Sequence, residues 1–234
     1  YLTKDYIRDI GTPDRYSEAK LIQEHSRINN ESNALVDVRQ AVILAGGLGT
    51  RLHPLTNKVP KPMVRLNGRP FLEYLVDMLK DNGISELVLL LGHLPEKVME
   101  HFGNGSKFGI SIKYSIGDVS FETGTRIKKA EDLLDDYFLL MYCDNYWPLD
   151  IQKLIKFHNK HKALATVTVY TNKAAMTRNN VFVDISGYLT KYDKARKIKN
   201  LNGVEIGFFI INKKILKLMP DTNFSFEQWI IPQL

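Results

Sequence analysis

The sequence predicts an α/β protein: a Rossmann-like, three-layer α/β/α domain on a mixed, mainly parallel sheet, with a small accessory β layer. Two observations carry this. From residue 40 onward, apolar runs of strand length alternate with amphipathic stretches of helix length, and the runs are near-continuous, as strands covered on both faces require. The first run opens into a glycine-rich turn, LAGGLGTRL at residues 44–52. In such sheets ligands bind beyond the carboxyl ends of the strands, and glycines let the backbone approach them.

Taken in order, residues 1–24 read as a short strand-like piece, a turn at Gly11-Thr12-Pro13 and a helix beginning near Asp14. Residues 25–39 are polar and without periodicity, which predicts a linker, and residues 40–234 form the main domain. Within it, strands are predicted at 41–45, 87–91, 112–116, 137–142 and 165–170, with helices near 71–82, 96–102, 124–134 and 151–161 between them. Beyond residue 175 the regularity weakens. VFVDISGYLTKYD predicts a hairpin turning at Ser186-Gly187, and VEIGFFII predicts a further strand, both assigned to the accessory layer on the substrate side. No internal repeat or low-complexity tract is present.

Composition narrows the class. At 234 residues with 44% hydrophobic content, the chain can bury an ordinary core. Its apolar runs, such as 87–92 and 137–142, fall far below the roughly 18 residues of a membrane span, so a soluble, cytoplasmic protein with no membrane partner is expected. One cysteine, Cys143, rules out an internal disulfide and a thiolate metal cluster; it reads as a small buried residue. The net charge of +6 suggests anionic partners, although lysines such as Lys153, Lys156 and Lys160 read as a solvated helix face. No basic stripe interleaved with aromatics is visible, so nucleic acid is not expected. The histidines show no metal-ligand spacing, and His158 with His161 reads as a polar helix face.

The charge around the glycine loop is more specific. Between Gly46 and Pro70 stand Arg51, Lys58, Lys61, Arg65 and Arg69, without any Asp or Glu. That imbalance predicts a highly anionic ligand. GGLGTR does not fit the P-loop pattern, and it lacks the spacing and acidic residue of a dinucleotide fingerprint. LAGGLGTRLHPLTNKVPKPM, followed by NGRPFLEYLVDML, instead closely resembles the signature of the sugar-1-phosphate nucleotidyltransferase family. YCDNYWPL, NVFVD, YDKAR and GVEIGF are most similar to the heptose- and mannose-1-phosphate guanylyltransferase branch, and to modules fused to a phosphatase of the haloacid dehalogenase type.

The resemblance implies an enzyme that joins a nucleoside triphosphate, GTP in this branch, to a sugar 1-phosphate with Mg²⁺ and releases pyrophosphate. It implies that Leu44, Ala45, Gly46, Gly47, Gly49, Thr50 and Arg51 wrap the nucleotide, with Glu122, Thr123 and Gly124 at the base. Arg51 and Lys61 then meet the triphosphate, and Asp144 holds the metal. Asn145, Lys194 and Glu205 fall on the sugar phosphate. Each has a plainer reading. Asp144 can cap the next helix, Lys194 can be a surface lysine and Glu205 a strand-edge carboxylate. Glu122 either accepts from a guanine edge or pairs with Arg126 on the surface; many relatives carry glycine and alanine in this turn, at the positions of Glu122, Thr125 and Arg126. Tyr146 and Trp147 either wall the sugar site or pack in the core.

YIRDIGTPDRYSEA resembles the closing segment of the same family, which suggests a larger polypeptide of several modules, with residues 40–234 C-terminally incomplete. Asp9 folding back as a second metal ligand is the alternative, and homo-oligomerisation is left open. Two other functions compete: thymidylyl, cytidylyl or uridylyl transfer to glucose-type sugars, and a non-catalytic sensor that binds an NDP-sugar.

Overall fold

The computed structural model describes residues 35–231. The expectations for residues 1–34, including the DIGTP turn, Asp9 and most of the linker, lie outside the described residues.

The elements follow in order as β1 (Gln40–Ala45), β2 (Arg65–Leu66), β3 (Arg69–Pro70), α1 (Phe71–Asp81), β4 (Glu86–Leu91), α2 (Pro95–Phe102), β5 (Ser111–Ile116), α3 (Thr123–Lys129), β6 (Tyr137–Tyr142), α4 (Ile151–His161), β7 (Ala165–Tyr170), β8 (Val181–Val183), β9 (Leu189–Tyr192), β10 (Val204–Asn212) and α5 (Phe226–Trp229). Six strands make the central sheet in the order β5-β4-β1-β6-β10-β7. β5, β4, β1 and β6 are parallel, with Ala41 opposite both Leu87 and Leu139. β2 with β3 and β8 with β9 form two small antiparallel sheets, the latter being the predicted hairpin.

Strand periodicity divides the core. Along β1, Ile43 faces one layer and Val42 and Leu44 the other. The first layer packs Ile43, Leu89, Met141 and Phe208 against α1, α2 and α4 through Leu75, Val98, Phe102 and Ile155. The second packs Val42, Leu90, Phe138 and Phe209 against Ile127 of α3 and against Phe226 and Ile230. Both faces of β1, β4 and β6 are therefore covered, which is why their sequences are apolar without alternation.

Three expectations are corrected here. β10 is not part of an accessory layer: it lies inside the central sheet, antiparallel to β6 and to β7. Its run from Phe208 to Ile211 is fully covered, and only an interior position supplies a layer on each face. The helix predicted over 124–134 ends at Lys129 and is followed by a short 3₁₀ turn at Glu131–Leu133. α4 is capped by Asp150, whose side chain accepts from the Lys153 amide at 3.0 Å, so Asp144 is not its cap.

His158 is also corrected. It is 2% exposed on the inner face of α4, hydrogen-bonded to the Thr166 hydroxyl at 2.9 Å, while His161 stacks on Phe157. Burial pulls the His158 pKa from 6.5 down to about 4. Below pH 6.5 the unfolded chain takes up this proton while the folded chain does not, so stability is lost as pH falls toward 4. The loss is expected to be on the order of 3 kcal/mol, at about 1.4 kcal/mol per unit. Urea unfolding between pH 7 and 4 should show it, and His158→Gln should flatten that part of the profile.

Candidate active site

The site lies at the carboxyl ends of β1, β4 and β6. β1 delivers the chain to Gly46, and the loop turns at Gly49, whose φ of 66° is left-handed and starts the 3₁₀ turn Thr50–Leu52. A Cβ on Gly49 would stand 3.1 Å from both Lys61 and Thr56, and the Thr56 hydroxyl holds the Gly49 carbonyl at 2.9 Å. Of the loop glycines, Gly49 alone takes positive φ. Gly46 is required for room instead, since a Cβ there would meet the Arg126 guanidinium at 2.3 Å.

Lys61 follows Pro60 in a third 3₁₀ turn, Lys61–Met63, and its amine makes an ion pair with the Asp144 carboxylate. Asp144 stands two residues past β6, beside Cys143, whose burial pushes its thiol up to about 12. The thiol is thus a packing group at neutral pH. Arg51 is exposed, and among the described residues its guanidinium makes no hydrogen bond or ion pair.

These elements enclose a cleft of about 450 Å³. Its lining includes Leu44, Gly46, Gly47, Gly49, Thr50 and Arg51 from the glycine loop, Glu122 and Thr123 at the start of α3, and Lys61 and Asp144. Ala45, Gly124, Asn145, Lys194 and Glu205 do not line it. Ala45 is buried in the sheet, and Gly124 packs so closely on Phe224 that a Cβ would lie 2.1 Å from its ring. Asn145 donates to the Ile206 carbonyl. Lys194 reaches Ser225 at 3.3 Å and Glu227 at 3.5 Å. Glu205 sits at the start of β10, where a bulge with Gly207 at φ 80° turns the Gly207 amide onto its carboxylate. Burial pushes the Glu205 pKa up to about 7, against the Gly207 bond that lowers it and with the Glu227 charge that raises it further. Tyr146 and Trp147 are exposed, with Trp147 against Tyr170 at 5.6 Å, so core packing is not their role.

The surface pair between Glu122 and Arg126 does not exist. Arg126 is 6% exposed and donates to four backbone carbonyls: Leu91 at 2.9 Å, Asp118 at 2.8 Å, and Gly46 and Val119 at 3.3 Å. Burial holds its pKa below the usual arginine value, with the Asp118 charge opposing. Glu122 is exposed, its amide held by Asn223 at 2.8 Å.

Sequence reasoning missed Arg126 as a buried group, and also missed Glu227 and Tyr142. A signal existed for the first two. Arg126 adjoins the core residue Ile127, and Glu227 interrupts the apolar run FSFEQWII, whose Phe224, Phe226 and Ile230 are buried.

Comparison with known proteins decides the family. Residues 40–185 match the family described as nucleotidyl transferase. The chain belongs to this nucleotidyl transferase family. Among its relatives, the D-glycero-alpha-D-manno-heptose 1-phosphate guanylyltransferase of Aneurinibacillus thermoaerophilus is 33% identical over 192 residues, 81% of this chain and 82% of that protein. The UTP–glucose-1-phosphate uridylyltransferase of Synechocystis is 27% identical over 197 residues; the chain spans 51% of its length. HddC from Yersinia pseudotuberculosis complexed with GMP-PN superposes with a TM-score of 0.70 at 26% identity, covering 84% of this chain and 87% of that one. Nucleotidyl transferases of this family commonly use a divalent metal ion. Among the described residues no helix is long and apolar enough to cross a membrane.

Proposed function

We propose that the protein transfers a nucleotidyl group from a nucleoside triphosphate to a sugar 1-phosphate. The triphosphate is GTP, the sugar is of the heptose or mannose type, and the NDP-sugar formed serves glycan synthesis. One observation carries this reading: Arg51 and Lys61 line the same cleft as the glycine loop, with the Asp144 carboxylate paired to the Lys61 amine.

The chemistry needs little more. An oxygen of the sugar phosphate attacks the α-phosphorus, the bond from that phosphorus to the oxygen bridging the β-phosphate breaks, and pyrophosphate departs. The nucleophile is already an anion, so no base has to remove a proton. The barrier is the meeting of two anions, which Arg51 and Lys61 lower by neutralising charge that develops on the triphosphate.

Asp144 would hold Mg²⁺. Among the described residues no cluster of three or more His, Cys, Asp or Glu side chains is able to hold a metal unaided. One carboxylate completed by substrate phosphates is the usual donor set for this ion. When bound, Mg²⁺ supplies charge neutralisation on the triphosphate oxygens. On the sugar side, Glu205 would accept from sugar hydroxyls, while Lys194 and Asn145 would meet the phosphate.

A pyrimidine triphosphate is the second reading, favoured by Arg126. Its guanidinium lines the cleft with Glu122 and Thr123 and takes up part of the space a larger base would need. Pyrophosphate release from the full-length protein across a matrix of GTP, CTP, UTP and dTTP with heptose, mannose and glucose 1-phosphates separates the two. The highest kcat/KM is expected with GTP. Release from no pair would sink both readings.

A further inference from the structure

Glu227 is an outlier in its segment. It is 5% exposed, on α5, among the phenylalanines and isoleucines that cover the second face of the sheet. A carboxylate in that position must be satisfied by donors, and it is. The Tyr142 hydroxyl donates to its Oε1; the Ser225 and Thr123 hydroxyls donate to its Oε2, Thr123 at 2.9 Å; and the Lys194 amine lies 3.5 Å from Oε2. These donors come from β6, the first residue of α3, the loop after β9 and the residue just before α5. Thr123 and Tyr142 also line the nucleotide cleft.

The two sides depend on Glu227 unequally. The turn has other anchors: the Glu122 amide on Asn223 at 2.8 Å, the Gly124 amide on the Phe224 carbonyl at 3.0 Å, and the Phe224 amide on the Thr125 hydroxyl at 3.0 Å. Lys194 carries a long, 47% exposed side chain, and its two described bonds both end on this segment, at Ser225 and Glu227. An ammonium on a four-carbon stem has many rotamers to lose, and a fixed counter-charge removes that cost before a ligand arrives.

We propose that Glu227 is a positioning residue that holds the Lys194 amine in place for the sugar phosphate. The proposal rests on the reading of Lys194 as a ligand of the sugar phosphate. Glu227 itself touches no substrate, and it acts through the lysine. Hydrogen bonds from Ser225 and Tyr142 outweigh the effect of burial and keep its pKa below the usual carboxylate value, so the counter-charge is present at neutral pH.

Glu227→Gln tests this because the partners respond differently. The amide nitrogen can turn toward the Tyr142 hydroxyl, which accepts, while the carbonyl oxygen still accepts from Ser225 and Thr123, so the substitution removes chiefly the counter-charge of the Lys194 amine. The KM for the sugar 1-phosphate is expected to rise about tenfold, with the KM for the triphosphate and kcat each within about twofold. In a Lys194→Ala background the same change should cost nothing further. Parallel rises in both KM values, an unchanged or lower sugar KM, or a full additional loss in the Lys194→Ala background would overturn the proposal. Glu227→Asp, which keeps the charge but withdraws it by one methylene, should fall between wild type and Gln.

A second readout works without turnover. Reductive methylation of the ligand-free protein, followed by mass spectrometry, is expected to modify Lys194 several-fold faster in Glu227→Gln than in wild type, with Lys191 as the unchanged reference. Equal rates overturn the tether even if no nucleotide and sugar pair reacts. Absence of turnover in the wild type, with the faster labelling intact, would count against the function and not against the tether.

Discussion

Lys61→Ala is expected to lower kcat/KM for pyrophosphate release by about a thousandfold, close to 4 kcal/mol of transition-state stabilisation. The Lys61 amine is paired with Asp144 in the cleft lining, and under the proposed function two polyanions are brought together there. The fold should hardly notice. The pair is partly solvated, with side chains 27% and 41% exposed, and such pairs contribute at most about 1 kcal/mol to stability. For a protein of this size that corresponds to a Tm change of about 2–4 °C. Lys61→Arg should restore part of the rate by keeping the charge. A Lys61→Ala protein that melts normally and turns over within tenfold of wild type would remove Lys61 from the reaction.

Arg126→Ala is expected to act the other way, through stability first. Four carbonyls, those of Leu91, Gly46, Asp118 and Val119, lose their donor together, and Gly46 is the first glycine of the loop after β1. Water can reach part of the vacated space from the cleft, so the cost is about 2–4 kcal/mol and not the full sum of four orphaned acceptors. Thermal unfolding should show a fall in Tm on the order of 10 °C. Arg126→Lys should recover less than half, because one ammonium has three donors and no planar fork. An unchanged Tm in Arg126→Ala would mean that these carbonyls do not depend on the guanidinium.

How much was legible in the sequence depends on whether the information was local. β1, β4 and β6 were readable because strands covered on both faces must be apolar at every position, and the glycine loop because its turn and charge lie within a few residues. The position of β10 was not readable. VEIGFFII is as apolar as the parallel strands, and nothing in it states that it runs the opposite way between β6 and β7. His158 and Arg126 were misread for a related reason: both are polar residues in helical stretches with charged neighbours, and their partners, Thr166 and the strand-end carbonyls, are fixed only once the sheet assembles. Lys61 and Asp144 could each be singled out from their motifs, but not their contact across 83 positions of chain.

The reversed strand has a consequence for how specificity is divided. Because β10 runs against β6, its beginning and not its end lies at the edge where β1 and β6 finish, so Glu205 arrives from the opposite chain direction. The seam between β6 and β10 is therefore a border between two territories. One holds the cleft-lining residues between 44 and 144, the other the hairpin of β8 and β9 and the bulge at Gly207. Under the proposed function, changes in the hairpin's length or composition are expected to alter the choice of sugar and to leave the KM for the triphosphate unchanged.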